Sequence, residues 1–217
     1  MKLNPLHWIK LWREPWRKIF WSSFYTFRRE DGEAKRWRLD LAPEDVVFDI
    51  GGFEGNWAAD VHDRFGCWVH VFEPHPTFAA AISARFEGNP KIIVHDCALG
   101  SKDGVLSLSD SGDASSVMLA NEANSVEGRV VDVATFMSDF EGDVSLVKIN
   151  IEGGEYDLLP ALAKAKAMAR FKTLQVQFHL YTKDNIKDRD DIRADLANAH
   201  TCEWVYPFVW EQWSLSR

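Results

Sequence analysis

Asp49, Glu73 and Asp96 each stand at the end of a short apolar run of the sequence. If these runs are parallel strands, their carboxyl ends meet at the edge of the sheet where ligands bind in open α/β folds. Each acid alone is more often a helix cap or a solvated loop residue. The joint arrangement of Asp49, the glycines that follow it and Glu73 predicts a pocket for a nucleoside, while Asp96 fits a cap or loop residue equally well.

Three glycines, Gly51, Gly52 and Gly55, follow Asp49 in the segment FDIGGFEGNW. Glycine adopts positive φ and lets a backbone approach a ligand closely. The dinucleotide fingerprint would need a glycine at Ile50, so the fit to a nicotinamide site is partial. An acid followed by a glycine turn suits a ligand with a positive end and no pyrophosphate. S-adenosylmethionine has a sulfonium, an ammonium group and no phosphate.

Glu73 lies about 20 residues beyond the glycine turn, at the tip of the next strand, where a carboxylate can accept hydrogen bonds from both ribose hydroxyls. Pro74 ends that strand and makes the following loop rigid. Asp96, at the end of the third strand, could accept a hydrogen bond from an adenine amino group. The three strands therefore predict an adenosine site.

A second strand–turn–helix segment, SLVKINIEGGEYDLL, places Lys148, Asn150, Glu152 and Glu155 around the pair Gly153-Gly154. The two glutamates could simply occupy the first turn of a helix, whose dipole favours anions. Charged groups at a buried strand end are costly unless they are solvated or used. Since Lys148 adds a charge inside the strand itself, we predict a functional role.

His179 follows the next strand, which is predicted over Leu174–Phe178. Its place at the ligand edge makes it a candidate general base or substrate contact. Glu152 is the other candidate base, and Glu155 is the candidate orienting partner.

Apolar runs rich in β-forming residues alternate with helix-like stretches from residue 45 onward, which predicts a parallel sheet with helices on both faces. The strands are expected over Val46–Ile50, Trp68–Phe72, Ile92–Val94, Val105–Leu108, Arg129–Val133, Leu146–Ile149, Leu174–Phe178 and Trp204–Phe208. The helices are expected over Asn56–Phe65, Thr77–Phe86, Glu155–Met168 and Asp190–Ala199.

The net charge of −8 argues against nucleic acid as a partner of the whole surface. Three widely spaced cysteines favour a reducing cytoplasm and argue against a disulfide framework or a structural zinc site. The expected location is therefore cytoplasmic. The basic N-terminal segment also allows a location at the inner face of the membrane.

Residues 1–40 are predicted to form a basic helical arm, and residues 41–217 the catalytic domain. Five of the ten tryptophans lie in the arm, and Trp8, Trp12 and Trp16 are spaced as one helical stripe. The stripe could lie on an anionic membrane surface. Alternatively it packs on the catalytic domain or on another subunit. Segment 28–37 is expected to be a connector, and Trp210 and Trp213 are available to line an acceptor pocket.

The blocks FDIGGFEGNW, VFEPHP, CALG, VVDVATFMSDF and SLVKINIEGGEYDLL resemble the FkbM-type methyltransferases over roughly residues 45–180. The resemblance implies an S-adenosylmethionine-dependent enzyme with the class I Rossmann-like α/β fold and a mostly parallel seven-stranded sheet. Members typically O-methylate sugars, polyketides or other secondary metabolites. The implied partner is a small-molecule or glycan acceptor.

By the same resemblance, the cofactor turn includes Asp49, Gly51 and Gly55, Glu73 binds the ribose, and the adenine lies beside Asp96, Cys97 and Ala98. The segment Lys148–Glu155 matches the family signature Lys-Ile-Asp-x-Glu-Gly-x-Glu. Two departures stand out. Gly52-Phe53 replaces the usual Ala-Asn, and Asn150 replaces the signature aspartate, so this side chain can neither accept a proton nor supply charge to a divalent metal.

These features predict an O-methyltransferase that acts on a saccharide or related metabolite. A catalytically silent S-adenosylmethionine-binding module is the alternative that Asn150 raises, and a nicotinamide-dependent oxidoreductase is disfavoured by Ile50. The sequence leaves the need for a divalent metal and the presence of a homo-oligomer open.

Overall fold

The computed structural model describes residues 14–109 and 125–216. Trp8 and Trp12 of the predicted stripe lie outside these ranges. The strands are β1 Val46–Ile50, β2 Trp68–Phe72, β3 Ile92–His95, β4 Ala98–Gly100, β5 Gly104–Ser109, β6 Ser125–Asp132, β7 Leu146–Ile149, β8 Thr173–Val176, β9 His200–Tyr206 and β10 Trp210–Leu215. The helices are α1 Lys18–Arg29, α2 Gly32–Arg36, α3 Asn56–Phe65, α4 Pro76–Arg85, α5 Val133–Asp139, α6 Glu155–Lys164 and α7 Asn185–Leu196.

Seven strands form the main sheet in the order β3-β2-β1-β7-β8-β10-β9. The first five are parallel, and β10 runs antiparallel to both β8 and β9. This confirms the predicted α/β fold with a mostly parallel seven-stranded sheet. Connections from β1 lead to β2 on one side, while β7 joins on the other. The carboxyl ends of β1 and β7 thus form the switch point where open α/β sheets bind ligands.

A separate three-stranded sheet, in the order β4-β6-β5, stands beside the main one. β6 pairs parallel with β4 and antiparallel with β5. The sequence predicted β5 and β6 but missed the short β4. The structure also extends β6 back to Ser125 and ends it at Asp132, because the side chain of Asp132 caps helix α5 through the Ala134 N–H.

Two apolar clusters cover the two faces of the main sheet. The larger includes Phe48 and Ile50 of β1, and the smaller includes Val47 of the same strand. Both faces of β1 are buried, as expected for a central parallel strand. Apolar side chains therefore cover most of both faces of β1, and Asp49 is its one buried charged residue.

The N-terminal helix α1 packs its apolar side against the last two strands. Phe20, Phe24 and Phe27 contact the cluster formed by Tyr206, Val209 and Trp210. The expected connector at residues 28–37 instead contains helix α2, whose Arg36 is buried with its guanidinium 3.6 Å from the Trp210 ring centroid. The division at residue 40 remains a prediction.

The helix expected over Asp190–Ala199 begins earlier, at Asn185, and the single C-terminal strand expected from the aromatic run is a β9–β10 hairpin. The turn between them places Phe208 in the left-handed region at φ 62°. No Gly or Asn occupies the left-handed position of this turn, and Pro207 before it is the turn signal that the prediction of one strand overlooked. Within the described ranges, no helix is both long and apolar enough to cross a bilayer.

A half-buried histidine pair joins β2 and β3. Nδ1 of His70 and Nε2 of His95 are 2.9 Å apart, and Phe72, Phe136 and Phe140 surround the rings. Burial, assisted by the nearby His95, lowers the pKa of His70 to about 4. Between about pH 4 and pH 6.5, the His70 ring therefore binds fewer protons in the folded protein than in the unfolded chain, where a histidine titrates near pH 6.5.

We expect the free energy of unfolding to fall as pH drops from about 6.5 toward 4, because protonating His70 is easier in the unfolded chain. In the variant His70→Gln, the side chain cannot gain a proton and still offers His95 a hydrogen-bond partner. Urea denaturation should show that the free energy of unfolding falls less between pH 7 and pH 5 in the variant than in the parent. An equal fall in the two proteins would contradict this account.

Candidate active site

A cavity of about 400 Å³ lies at the carboxyl ends of β1, β2 and β7, with the small sheet as its far wall. Its lining comprises Ile50, Gly51, Phe53, Phe72, Glu73, Pro74, Ala98, Leu99, Gly100, Leu106, Leu108, Val130, Asn150, Ile151, Glu152, Gly154 and Asp157. The walls are mainly apolar, and the polar groups concentrate at the strand tips. That combination is typical of a pocket for an organic cofactor.

The glycine turn after β1 is shaped by close packing against neighbouring strand tips. Gly51 has φ 90°, and a Cβ there would lie 2.0 Å from the carbonyl oxygen of Asn150. The N–H groups of Gly51 and Gly52 both donate to the Phe72 carbonyl oxygen, at 3.0 and 3.1 Å. Only glycine fits at position 51, because the chain there lies against the turn that follows β7.

Glu73 holds this turn from the tip of β2. Its carboxylate accepts the Phe53 N–H and the His75 N–H, each at 2.8 Å. Burial raises the pKa of Glu73, and the two backbone donors oppose that rise. Each carboxylate oxygen keeps a further acceptor site, and the residue lines the cavity. Glu73 can therefore accept two hydrogen bonds from a ligand diol.

Asp49 and Lys148 form a buried ion pair between adjacent positions of β1 and β7. Nζ of Lys148 lies 2.7 Å from Oδ1 of Asp49 and donates to the Gly51 carbonyl oxygen at 2.7 Å. Neither residue lines the cavity. Lys148 consequently supports the glycine turn from beneath, and a direct role of either side chain toward a ligand stays a prediction.

The second turn, after β7, contains a strained residue. Glu152 has φ 50°, in the left-handed region that side chains other than Gly and Asn avoid, and Gly153 follows at φ 105°. Oε2 of Glu155 accepts the Gly153 N–H at 2.9 Å. Phe53 in the first turn has φ 51° and also lines the cavity. Strained residues of this kind persist where surrounding structure enforces them, often at functional sites.

His179 lies between the two glutamates of the second turn. In the ring, Nδ1 is 3.0 Å from Oε1 of Glu155 and Nε2 is 3.3 Å from Oε1 of Glu152. The backbone N–H of His179 also donates to Oε1 of Glu155. Burial alone would lower the pKa of His179, but the two carboxylates overcome burial and raise it to about 9. At neutral pH the ring is therefore a cation that already carries its proton.

Glu152 is the carboxylate of this group that faces the cavity. The contact with His179 lowers the pKa of Glu152 against the effect of burial, and the Tyr181 hydroxyl, which donates to Oε2 at 2.6 Å, acts in the same direction. Glu152 is thus ionised at neutral pH. Of the two candidate bases, the geometry and charge favour Glu152, while Glu155 is fully buried and orients His179.

The structure places some of the predicted site residues around the cavity and others away from it. The predicted residues that line the cavity are Gly51, Phe53, Glu73, Pro74, Ala98, Asn150 and Glu152. Those that do not are Asp49, Gly52, Gly55, Asp96, Cys97, Lys148, Glu155 and His179. The Asp96 side chain is 79% exposed and pairs with Arg129, so in this arrangement it does not face the proposed adenine site.

Sequence reasoning missed several groups of the site. Asp157, in the first turn of α6, lines the cavity and accepts the Ser101 N–H at 2.8 Å. Tyr181 lies two residues beyond His179, outside any strand.

The expectation that Trp210 and Trp213 line an acceptor pocket is wrong: both are buried in apolar clusters, at 7% and 3% exposure. In the part of the chain that the structure describes, no group of three or more His, Cys, Asp or Glu side chains could hold a metal ion.

The family model of the methyltransferase FkbM domain matches residues 49–201, which is most of the chain. The chain therefore belongs to the FkbM methyltransferase family. It is an S-adenosylmethionine-dependent methyltransferase, and this excludes the nicotinamide-dependent oxidoreductase as its class.

Solved structures show the same fold. A putative rRNA methylase from Clostridium thermocellum aligns with a TM-score of 0.55 and 10% identity, over 86% of this chain and 95% of that one. A fibrillarin/Nop5p complex aligns with a TM-score of 0.52 and 12% identity, over 83% and 76%. At such identities the likeness concerns the fold alone. No curated protein sequence matches the chain.

The cavity fits S-adenosylmethionine in size and in its distribution of polar groups. Glu73 offers two acceptor sites for a ribose diol, and apolar side chains such as Leu99 and Leu106 offer a surface for a purine ring. Oδ1 of Asn150 is buried, and within the described ranges nothing donates to it. Such an atom is costly to leave unpaired, so the site is built to receive a donor.

The variant Lys148→Met should lower the free energy of unfolding by about 3–5 kcal/mol, because it leaves Asp49 buried without its cation. Urea denaturation measures the change. Lys102→Met, at an exposed lysine, is the matched control and should change little. A loss at Lys148 no larger than that of the control would refute the structural role of the pair.

The variant Glu73→Gln should weaken S-adenosylmethionine binding by roughly 10- to 100-fold, since one charged acceptor is replaced by a neutral amide. Isothermal titration calorimetry measures the affinity. Glu87→Gln, at an exposed glutamate near the end of α4, controls for the change in charge. If the affinity of both variants equals that of the parent, Glu73 does not bind the ribose.

Proposed function

We propose that the protein transfers a methyl group from S-adenosylmethionine to a hydroxyl group of a saccharide or a related hydroxylated metabolite. The observation on which the proposal rests is the ionised carboxylate of Glu152 at the cavity wall, fixed by Tyr181 and His179. A hydroxyl is a weak nucleophile at neutral pH, so oxygen methylation benefits from a proton acceptor within hydrogen-bond reach.

The cofactor would be held by Glu73 at its ribose and by the apolar walls at its base, with the backbone of Gly51 and Phe53 beside it. S-adenosylmethionine supplies a methyl group on positively charged sulfur. The protein's own contribution is mainly to align the acceptor with that group, which can provide much of the rate acceleration.

Glu152 is assigned the role of proton acceptor. Its carboxylate would accept the proton that leaves the acceptor hydroxyl as the carbon–oxygen bond forms and the methyl–sulfur bond breaks, with S-adenosylhomocysteine as the leaving group. His179 stays protonated, and its positive charge keeps Glu152 ionised before the reaction. Glu155 holds His179 by both its ring and its backbone N–H.

Asn150 takes the place that an aspartate has in the family signature. A neutral amide cannot act as the base, but its unpaired oxygen can accept a hydrogen bond from a hydroxyl that enters the cavity. We therefore propose that Asn150 orients the acceptor and that Glu152 accepts the proton. The silent-module alternative requires instead that the substitution has removed transfer altogether.

The family resemblance supports a sugar or polyketide hydroxyl as the acceptor. A peripheral membrane contact through the basic N-terminal segment would bring the enzyme to lipid-linked glycans, which is a separate part of the proposal. Liposome sedimentation of the full chain tests that part.

Transfer of a tritiated methyl group to glycan extracts tests the main proposal. We expect labelled glycan, and we expect Glu152→Gln to lower kcat by about 100-fold or more while the KM for S-adenosylmethionine stays within about twofold. His179→Gln should lower kcat to a smaller extent. The exposed Glu141→Gln is the control. Cofactor binding without transfer to any fraction would favour the silent module, and full activity of Glu152→Gln would remove Glu152 as the base.

A further inference from the structure

Tyr181 makes the shortest polar contact with Glu152. Its hydroxyl donates to Oε2 at 2.6 Å, while His179 lies against the other oxygen, Oε1. The rings of Tyr181 and His179 are stacked, with centroids 5.8 Å apart and planes inclined by 9°. Both oxygens of the proposed base are therefore held by neighbours that are themselves packed together.

The backbone that bears Tyr181 is fixed on its own side. The N–H groups of Tyr181 and Thr182 donate to Oδ1 of Asn185, the first residue of α7, at 3.1 and 2.9 Å. The Tyr156 hydroxyl donates to the carbonyl oxygen of His179 at 2.7 Å. A short segment outside any strand or helix is thus tied to two helices.

The N-terminal segment holds the same loop from the outside. The guanidinium of Arg17 donates to the carbonyl oxygens of Leu180 and Tyr181, at 3.5 and 3.3 Å. Trp16 and Phe20, on either side along the chain, pack against the main apolar cluster. Glu14 pairs with the Arg17 guanidinium. Arg17 is therefore anchored near the loop that carries Tyr181.

We propose that Tyr181 is a positioning residue that holds Glu152 in the orientation needed to accept the acceptor's proton, and that Arg17 supports Tyr181 from the N-terminal segment. The inference rests on the proposed role of Glu152. A glutamate side chain has several rotamers, and Glu152 also sits on a strained backbone, so its orientation needs outside support.

A hydroxyl that donates to a carboxylate stabilises the ionised form more than the protonated form. Tyr181→Phe removes only the oxygen atom and keeps the ring stack. It should therefore make Glu152 easier to protonate and move the acid limb of the kcat–pH profile upward by about one unit. A purely structural role would lower the amount of folded enzyme without moving that limb.

The experiment compares the full-length parent chain with Tyr181→Phe and Arg17→Gln. We expect the acid limb to move upward in both, with the smaller shift in Arg17→Gln, and the KM for S-adenosylmethionine to stay within about twofold. Tyr25→Phe and Arg28→Gln, both at exposed positions of α1, are the matched controls and should leave the limb in place. Arg17→Gln keeps the test decisive if Tyr181→Phe fails to fold.

Carboxyl carbon NMR of the protein without substrates provides a readout that does not depend on catalysis. The Glu152 signal, assigned by its loss in Glu152→Gln, should titrate at higher pH in Tyr181→Phe. If Glu152→Gln abolishes transfer but neither the signal nor the acid limb moves in Tyr181→Phe, the positioning role is overturned and the proposed function stands. If the signal moves while the acid limb does not, Glu152 is not the base; the positioning role and the assignment of Glu152 are then overturned, and methyl transfer itself still stands or falls with the labelling experiment.

Discussion

The buried ammonium of Lys148 joins the two turns on which the site depends. It contacts the Asp49 carboxylate on β1 and the Gly51 carbonyl oxygen just beyond that strand, while its own strand leads directly into Asn150. An ammonium group with little access to water needs several acceptors in fixed places. The backbone ladder of β1 and β7, which extends to the Asn150 N–H donating to the Ile50 carbonyl oxygen at 3.0 Å, sets the spacing of the two strand tips, and Lys148 holds the glycine turn against them. The cavity floor is built on this spacing, although neither charged side chain reaches the cavity.

The two turns solve the same backbone problem in the same way. Each places a residue with a side chain in the left-handed region, Phe53 in one and Glu152 in the other. In each, a nearby carboxylate accepts a backbone N–H of the turn: Glu73 accepts that of Phe53, and Glu155 that of Gly153. These acids are partly structural as a result. A substitution at either would disturb the turn as well as the chemistry, so a binding or rate effect needs a stability measurement beside it.

The sequence was informative where local pattern decides structure. The bounds of β1, β2, β7 and α3 agree with expectation because each is a contiguous apolar or amphipathic segment with clear ends. The exposed position of Asp96 and the charge of His179 could not be predicted in this way. The first depends on how the chain leaves β3 toward the small sheet, and the second on two carboxylates that only the fold brings to one ring. Tertiary contacts decided both.

The described part of the N-terminal segment, residues 14–40, packs against the sheet that carries the candidate site. One polar position on each of four neighbouring strands lies in register across the sheet: Asp49, Lys148, Gln175 and Gln212. Gln175 donates to the carbonyl oxygen of Arg36 at 2.7 Å, so this polar row connects helix α2 of the segment to the strand that supports the glycine turn. Arg17 makes a second contact between the segment and the sheet, because its guanidinium donates to carbonyl oxygens of the loop after β8. Removing residues 14–40 would take away the Arg36 carbonyl oxygen that accepts from Gln175 and would uncover the apolar side of β9 and β10, so we expect their loss to destabilise the sheet.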